Sequence, residues 1–302
     1  MEFAMKKIVA GPNDAGQRLD KFLSKLLKTA SMGMIYKWLR KKRVKVNGKK
    51  QDISYILSIG DVLELYINDE FFENEKSEQD FEIEEGKLCI AYEDENILVA
   101  DKPSGVAVHG EKGCLLNSIT AYLVKKGEFI PEKEHTFSPA LCNRIDKNTS
   151  GLVIAAKNAA ALRIINEKIR DREINKYYIL KAENPERLEK TGKISGYTLK
   201  NEKERKVYFF DKEAPNSKYC ETLFRKIDDY GTFEVQLLTG RTHQIRASFA
   251  AKGCPLVGDV KYGAMKNGRK DFQQLRAYKI EFDFRKPAGE LEYLNGKVIE
   301  KK

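Results

Sequence analysis

The first 68 residues carry hydrophobic positions at two different spacings. Apolar residues recur at helical spacing between Arg18 and Lys28 and again between Ser31 and Lys42, which predicts two amphipathic helices. From Val44 to Lys49 apolar and basic residues alternate up to an Asn-Gly pair, which is typical of a β-hairpin turn. A further strand is predicted from Gly60 to Tyr66. Two helices and a small sheet in this short segment predict a compact α/β module over residues 1–68.

From residue 88 onward the apolar segments are short and predict mainly strands, with two amphipathic helices at Leu115–Lys125 and Ala159–Arg170. The predicted strands cover residues 88–92, 97–100, 153–156, 177–182, 219–224, 232–238 and 280–284. Strands and helices do not alternate regularly, so the pattern does not favour the βαβ units of a parallel sheet. We therefore predict an α+β fold over residues 88–285, with a mainly antiparallel mixed sheet flanked by helices, followed by a polar tail over residues 286–302.

Charge is distributed unevenly and separates these two parts. Of the 302 residues, 55 are Lys or Arg and 45 are Asp or Glu, which gives a net charge of +10. Residues 1–68 contain 14 basic and 6 acidic residues, whereas residues 69–87 contain nine acidic residues and two lysines. The acidic segment has no long periodic pattern, so we predict that it is a linker. The basic balance of the whole chain favours a polyanionic partner.

The second predicted helix ends in a cluster of positive charge. Arg40, Lys41, Lys42 and Arg43 follow one another, and Lys45 extends the cluster onto the next strand. Such a run is often a solvated helix end, where cations also compensate the helix dipole. A clustered patch is also what contacts to nucleic-acid phosphates need, because each neutralised phosphate releases counterions. The residues leave both interpretations open and favour RNA or DNA contact.

Several kinds of chemistry find little support in the sequence. No apolar segment approaches the roughly 20 residues of a membrane span, and the N-terminus lacks the pattern of a secretory signal. Five scattered cysteines without a CxxC pair predict reduced thiols in a cytoplasmic protein and no zinc site. Glycine motifs for phosphate or dinucleotide binding are absent, and three histidines offer little material for a catalytic triad or metal site. We expect any enzymatic chemistry to use carboxylates, tyrosines and arginines, without a metal or nucleotide cofactor.

Two loops beside predicted strands are rich in polar and charged residues. One runs from Asn143 to Gly151 and contains Asp146, and the other runs from Thr239 to Arg246. Loops joined to strands commonly carry functional side chains. Taken alone, the first loop slightly favours a turn that Asp146 caps, since small polar residues and glycine follow it. Spacing alone does not decide between a functional and a turn-capping Asp146.

Four segments in order resemble the RluA-type pseudouridine synthases. The loop Asn143–Gly151 is similar to the family signature, with Asn143 in place of the usual His and Ile145 in place of Leu. The other similar segments are Asp101–His109, Lys176-x-Tyr178, and Gly240–Arg246 together with Gly258–Gly263. The N-terminal module resembles the S4 RNA-binding domain through Gly16–Leu23 and Arg43–Gly48. Four ordered segments are far more specific than any one of them.

This resemblance implies a pseudouridine synthase fold and the isomerisation of uridine to pseudouridine in RNA, without ATP, redox cofactor or metal. Asp146 is expected to be the essential carboxylate, which either attacks the sugar or base or removes a ribose proton. Arg246 is expected to pair with Asp146 from a neighbouring loop. Tyr178 is expected to stack on the target uracil and to assist proton removal from it, whereas Tyr177 would take this place if the strand register were shifted by one residue.

The resemblance also indicates how RNA is held. Arg144 is expected to fill or brace the space that a flipped uridine leaves, although a phosphate contact or a salt bridge fits it nearly as well. His243 is expected either to contact RNA or to form a hydrogen bond within its loop. The N-terminal module and the family favour large-subunit (23S) ribosomal RNA as the substrate of a monomeric protein. The alternatives are a transfer RNA substrate, a catalytically silent RNA-binding or ribosome-assembly factor, and a metal-dependent nuclease; the intact Asp146 argues against a silent factor.

Overall fold

The N-terminal module is a small antiparallel sheet packed against two helices. The computed structural model describes residues 5–72, 88–266 and 272–301. The elements of the module are β1 (Lys6–Val9), α1 (Leu19–Leu26), α2 (Met32–Arg40), β2 (Val44–Val46) and β3 (Val62–Leu65), with the strands in the order β1-β3-β2. Both predicted helices and the two predicted strands are confirmed, whereas β1 was not predicted. The apolar residues that set the helical spacing, among them Phe22, Leu23, Ile35 and Leu39, are buried between the helices and the sheet.

Local signals in the sequence explain where elements of the module begin and turn. Ser31 is the N-cap of α2, since its hydroxyl accepts a hydrogen bond from the backbone N–H of Met34 at 3.4 Å. After β2 the chain reverses at Asn47 and Gly48, whose φ angles are 53° and 72°. Positive φ at two successive residues is what Asn-Gly turns supply at low cost.

The predicted linker begins within the described residues. Phe71 packs edge-on against Trp38 of the module, with ring centroids 5.0 Å apart. Residues 73–87 lie outside the described residues, so the limits of the linker stay a prediction.

The larger part of the chain forms one extensive sheet with helices on both faces. In the part of the chain that the structure describes, eleven strands take part, and nine of them follow the order β10-β9-β11-β12-β8-β13-β7-β5-β4, with β14 beside β13 and β6 beside β7. The strands are β4 (Ile90–Glu93), β5 (Ile97–Lys102), β6 (Ala140–Leu141), β7 (Ser150–Ala156), β8 (Ile174–Lys181), β9 (Thr191–Asn201), β10 (Lys206–Phe210), β11 (Lys218–Lys226), β12 (Thr232–Leu237), β13 (Leu275–Phe282) and β14 (Val298–Glu300). The helices are α3 (Leu115–Lys125), α4 (Ala159–Arg170) and α5 (Gln244–Ala251). Of the strand pairs described, only β7 and β13 are parallel, which confirms the predicted mainly antiparallel α+β fold.

Strand β7 shows why the sheet has a hydrophobic core on each face. Its alternate residues Val153 and Ala155 belong to the core beneath α3 and α5, whereas Leu152 and Ile154 belong to the core beneath α4. Side chains alternate between the two faces of a strand, so a strand buried on both faces is apolar throughout. The run of apolar residues in β7 therefore places it at the centre of the domain.

The end of the chain differs from the polar tail that the sequence predicts. Residues 289–294 form a 3-10 helix, and β14 pairs with β13 in antiparallel register. Leu291 and Leu294 are completely buried, and Ile299 joins them in the core beneath α4. The sequence shows an apolar patch at Leu291–Leu294, but three apolar residues in two short elements are too few to show a helical or strand period.

A polar joint connects the N-terminal module with the large domain. The side-chain amide of Asn13 donates to Glu134 at 2.8 Å, and its oxygen accepts from the backbone N–H of Ala159, at the start of α4, at 2.9 Å. Gln17 donates to the hydroxyl of Thr136 at 3.1 Å. The module therefore contacts the large domain through hydrogen bonds between polar groups.

Gly151 is the residue at which two central strands approach most closely, and its substitution should be severe. It has a φ of 114°, and a Cβ at this position would lie 2.0 Å from the carbonyl oxygen of Ala277 on β13. We expect Gly151→Ala to lower the free energy of unfolding by about 3 kcal/mol or more, because the strands must separate and the backbone is strained. Urea denaturation followed by circular dichroism measures the loss.

Gly127→Ala is the matched control. Gly127 also has a positive φ, 76°, but no neighbouring atom lies within 4 Å of the point that a Cβ would occupy. This variant should lose only about 1 kcal/mol, which is the cost of left-handed backbone alone. Equal losses in the two variants would show that the contact between β7 and β13 is not tight.

Candidate active site

The loop that carries Asp146 lies between β6 and β7 and is fixed by its neighbours. The backbone carbonyl of Asp146 accepts a hydrogen bond from Thr149 N–H at 3.0 Å, and the buried Thr149 hydroxyl accepts one from Gln273 at 3.2 Å. Asn143 accepts from the backbone N–H of Ile154 at 2.7 Å. Asn143, one of the two residues that depart from the family signature, thus ties the loop to β7. The Asp146 carboxylate remains about one quarter exposed.

The Asp146 carboxylate forms an ion pair with Arg246, the partner that the family resemblance implies. Nη1 of Arg246 lies 2.9 Å from Oδ2 of Asp146. The same guanidinium donates through Nε and Nη2 to the two oxygens of Asp259, at 2.7 and 2.8 Å. Burial opposes the charge of Arg246, but the hydrogen bonds to Asp259 and the charges of both carboxylates outweigh it and raise its pKa. Arg246 is therefore a permanent cation held between two carboxylates.

The position of Arg246 in the fold corrects one expectation. The sequence placed it in a loop, whereas the structure places it in the first turn of α5. The residue before this helix, His243, has a left-handed backbone with a φ of 49°. The glycine and polar residues at the start of the segment indicated a loop, and the first turn of a short helix has no apolar period of its own. Because a helix fixes Arg246, the guanidinium is held more firmly than a loop would hold it.

His243 lies at the edge of the same ion pair. Its Nδ1 is 2.8 Å from the hydroxyl of Tyr262, and its Nε2 is 3.8 Å from Oδ2 of Asp146. Burial lowers the pKa of His243, and the charge of Asp146 opposes this only in part. The imidazole is therefore neutral near pH 7. Tyr262 also accepts from the backbone N–H of Val207 at 2.9 Å, which joins His243 to the edge of the sheet.

The structure settles which of two adjacent tyrosines faces Asp146. Tyr178 on β8 is 5% exposed and lines the pocket beside Asp146, together with Leu237 and Leu275. Burial, and to a lesser extent the charge of Asp146, raises the pKa of Tyr178, so the phenol stays protonated. Tyr177 points away, and its hydroxyl donates to Glu281 at 2.9 Å. The alternation of side chains along a strand separates the two tyrosines as expected.

Lys102 is a buried residue of this site to which the sequence gave no role. Its ammonium lies at the end of β5 and donates to the backbone carbonyls of Pro103, Val106 and Lys147, at 2.9, 2.7 and 2.8 Å. Burial lowers the pKa of Lys102 to about 8, and the charge of Asp146 partly opposes this shift. Lys147 directly follows Asp146, so the hydrogen bond from Lys102 to the Lys147 carbonyl holds the Asp146 loop in place. The resemblance of Asp101–His109 to the family indicated that this segment matters. The sequence of the segment does not show that Lys102 would bind three backbone carbonyls.

A cleft of about 500 Å³ opens from the pocket to the surface. Asp146 and Tyr178 line it, and so do four cations: Arg144, Lys176, Lys200 and Arg241. Asp146 is the sole carboxylate among the described lining residues, and it is hydrogen-bonded to Arg246. Burial lowers the pKa of Lys176. The cleft is therefore positively charged and fits an anionic ligand.

The remaining residues of interest lie on the N-terminal module. Arg40, Lys41 and Lys42 are exposed at the end of α2, whereas Arg43 and Lys45 are partly buried. The structure thus brings Asp146, Arg246, Tyr178, His243 and Arg144 together and places the basic cluster in a separate part of the molecule. No group of His, Cys, Asp or Glu side chains among the described residues could hold a metal ion. None of the described helices is long and apolar enough to cross a membrane.

Comparison with known proteins assigns the class. A family model described as RNA pseudouridylate synthase matches residues 96–251, and an S4 domain model matches residues 17–63. The chain therefore belongs to the RNA pseudouridylate synthase family and carries an N-terminal S4 domain. It is an RNA-modifying isomerase that converts uridine to pseudouridine.

Curated relatives agree with this assignment, and two solved structures share the fold. An uncharacterized RNA pseudouridine synthase of Mycoplasma capricolum is 36% identical over 98% of this chain and 97% of its own length. Ribosomal large subunit pseudouridine synthase C of Vibrio cholerae is 34% identical over 82% of this chain and 78% of its own. The structure of human RNA pseudouridylate synthase domain containing 4 shares the fold, with a TM-score of 0.55 and 20% identity over 71% of this chain and 88% of its own. The structure of human RNA pseudouridylate synthase domain containing 1 also shares the fold. Its TM-score is 0.52, and it is 23% identical over 66% of this chain and 79% of its own.

Lys102→Met should lower the free energy of unfolding at pH 7 by about 2–4 kcal/mol, because three buried carbonyls lose their donor. The wild-type protein should also gain stability relative to the variant as the pH rises from about 8 to 10.5. In that range the unfolded chain still binds the proton that folded Lys102 has released, so stability rises with pH. Urea denaturation at a series of pH values measures both effects.

Lys147→Met is the control for this prediction. The Lys147 side chain is about half exposed and pairs with Glu111 on the surface at 2.6 Å, so its loss should cost less than about 1 kcal/mol. Its backbone carbonyl, which Lys102 binds, is unchanged. A similar loss of stability in both variants would contradict the role assigned to Lys102.

Proposed function

We propose that this protein isomerises specific uridines of large-subunit ribosomal RNA and that Asp146 is the essential carboxylate. The observation that carries the proposal is the ion pair between Asp146 and Arg246, at 2.9 Å, in a positively charged cleft beside Tyr178. The name of the Vibrio cholerae relative supports a ribosomal large-subunit substrate. An N-terminal S4 domain adds a second RNA-binding part outside the cleft.

The ion pair makes Asp146 suitable for this chemistry. Burial disfavours a charged carboxylate, and a cation within hydrogen-bond distance favours it. Arg246 is such a cation, at 2.9 Å from Asp146, and it remains beside the carboxylate when RNA covers the cleft and removes water. The isomerisation breaks the bond between uracil N1 and the ribose, turns the base, and forms a bond from uracil C5 to the same carbon. C5 loses its proton and N1 gains one, so the reaction is balanced. Attack by Asp146 and removal of a ribose proton both require the ionised carboxylate.

Tyr178 is proposed to hold the base while it turns. Its ring forms a wall of the pocket beside Asp146, where a flat uracil can stack. Because the pKa of Tyr178 is raised, forming its phenolate is costly. This favours stacking over proton removal as its role.

Access of the target uridine to Asp146 requires the nucleotide to leave its helix or loop, which costs a few kcal/mol. Arg144 is exposed at the mouth of the cleft, and the described residues give it no hydrogen bond or ion pair. We propose that its side chain braces the RNA at the position that the uridine vacates. His243 is proposed to contact the RNA through the edge that faces Asp146, since Tyr262 holds its other nitrogen.

Pseudouridine mapping tests the proposal directly. Unmodified large-subunit rRNA is incubated with the wild-type protein, with Asp146→Asn and with Asp229→Asn, which removes an exposed carboxylate in a turn, and is then mapped by carbodiimide treatment and reverse transcription. We expect new stops at defined uridines for the wild type and Asp229→Asn, and none for Asp146→Asn, because an amide cannot replace an ionised carboxylate. Stops with Asp146→Asn would exclude its essential role. Stops on transfer RNA instead of rRNA would exclude the ribosomal substrate.

The basic cluster should determine the salt dependence of RNA binding. Alanine at Arg40, Lys41, Lys42 and Arg43 should weaken binding of an rRNA fragment and reduce the slope of log K against log salt concentration by up to about 3. Fluorescence anisotropy at several salt concentrations measures the slope. The matched control replaces Lys193, Lys218 and Arg225, which lie on β9 and β11 of the large domain. An unchanged slope in the first variant would mean that the cluster is only a solvated helix end.

A further inference from the structure

Lys176 is a cation of the cleft, and no carboxylate of the described residues pairs with it. It lies in the middle of β8, hydrogen-bonded in the sheet between Leu237 of β12 and Ile280 of β13. Its side chain lines the cleft and is partly buried. Within residues 5–72, 88–266 and 272–301 it has neither a hydrogen bond nor an ion pair through its ammonium group.

Other lysines of this chain that are withdrawn from water do have partners. Lys102 donates to three backbone carbonyls. Lys168 pairs with Glu173 at 2.7 Å, and Lys157 pairs with Glu93 at 3.0 Å. A buried charge without a partner is costly, so such groups are normally paired. Lys176 departs from this rule at a position where a ligand is expected.

The charges around Lys176 fit an anion. Among the described lining residues Asp146 is the sole carboxylate, and Arg246 already binds it. Lys200 is paired with Glu202 at 2.8 Å, and Arg241 donates to the backbone carbonyl of Tyr219 at 3.0 Å. Lys176 and Arg144 are thus the cations of the cleft that have no partner within the described chain.

The position of Lys176 relative to Tyr178 indicates which anion it meets. The two residues are separated by one repeat of the strand, or roughly 7 Å, and their side chains line the same cleft. This is about the span from a nucleobase to the phosphate of its own nucleotide. A uracil stacked on Tyr178 therefore places a backbone phosphate within reach of the Lys176 ammonium.

We propose that Lys176 binds a phosphate that flanks the target uridine and so anchors the flipped nucleotide in the cleft. The inference rests on the proposed placement of the uridine between Tyr178 and Asp146. It assigns to Lys176 a binding role that is separate from the chemistry at Asp146. It requires a uridine that the protein modifies, from whichever class of RNA, and does not depend on the ribosomal assignment.

A substrate with one neutral linkage tests this role. The RNA is a stem–loop that contains a uridine mapped as a target, made with a methylphosphonate either 5′ or 3′ to that uridine. For the wild type we expect a neutral linkage on one side to raise both Kd and KM about tenfold, with a smaller change in kcat. Lys176→Met should show the same rise with unmodified RNA, and the neutral linkage should then cost it less than twofold. Anisotropy gives Kd, and release of tritium from [5-³H]uridine gives the kinetic constants.

Two further variants serve as controls. Lys181→Met removes a lysine from the same strand outside the cleft and should retain the full tenfold sensitivity to the neutral linkage. Lys176→Arg keeps the positive charge and should retain much of that sensitivity, which guards against misfolding of the Met variant. The inference would be overturned if the neutral linkage raised Kd and KM equally in the wild type and in folded Lys176→Met, whether it lies 5′ or 3′ to the uridine. Loss of turnover in Asp146→Asn is a separate result, because Kd still reports the contact between Lys176 and the phosphate.

Discussion

The guanidinium of Arg246, shared between Asp146 and Asp259, is the interaction on which the active site depends. One cation is held by three hydrogen bonds to two carboxylates, so the cluster carries one net negative charge. Asp259 is 3% exposed and could not be buried as an ion without this partner. The bidentate contact with Asp259 fixes the plane of the guanidinium and leaves Nη1 directed at Asp146. The carboxylate that we propose as the reacting group is thus oriented before any substrate binds, and the proposed reaction does not require this pair to reorganise.

The fold brings distant parts of the chain to this ion pair. Asp146 precedes β7, Tyr178 lies on β8, and Arg246 lies on α5, which packs against the same face of the sheet through Phe249. The close parallel contact of β7 and β13 at Gly151 fixes where β7 begins and hence where the Asp146 loop ends. Lys102 fixes the same loop from the other side. The rigidity of the sheet is therefore transmitted to a loop that would otherwise be free to move.

Much of this could be predicted from the sequence because the strongest signals are local. The periodic helices α3 and α4 begin and end where the pattern predicts, and strand alternation separates Tyr178 from Tyr177. Strand β9 was missed because Gly192 and Gly196 resemble turn residues; in the structure the rings of Phe224 and Phe209 lie over them, where a Cβ would collide. The three carbonyl partners of Lys102 and the helical position of Arg246 depend on tertiary packing, which no local pattern encodes. The ion pair itself was expected from the family resemblance and not from spacing.

Because two carboxylates already bind Arg246, other cations of the cleft are needed to bind RNA phosphates. A guanidinium that is already bound by two carboxylates cannot also compensate a phosphate, so the charge that orients Asp146 is not available for binding the backbone. The proposed contacts to phosphates therefore fall to cations without a partner, and within the part of the chain that the structure describes Lys176 and Arg144 are such cations. Keeping a partly buried ammonium unpaired reduces the stability of the free protein, as is common where a site is organised for its ligand. A bound phosphate would remove this penalty, so in the proposed site the groups that bind RNA differ from the groups that act on the uridine, and neither set weakens the other.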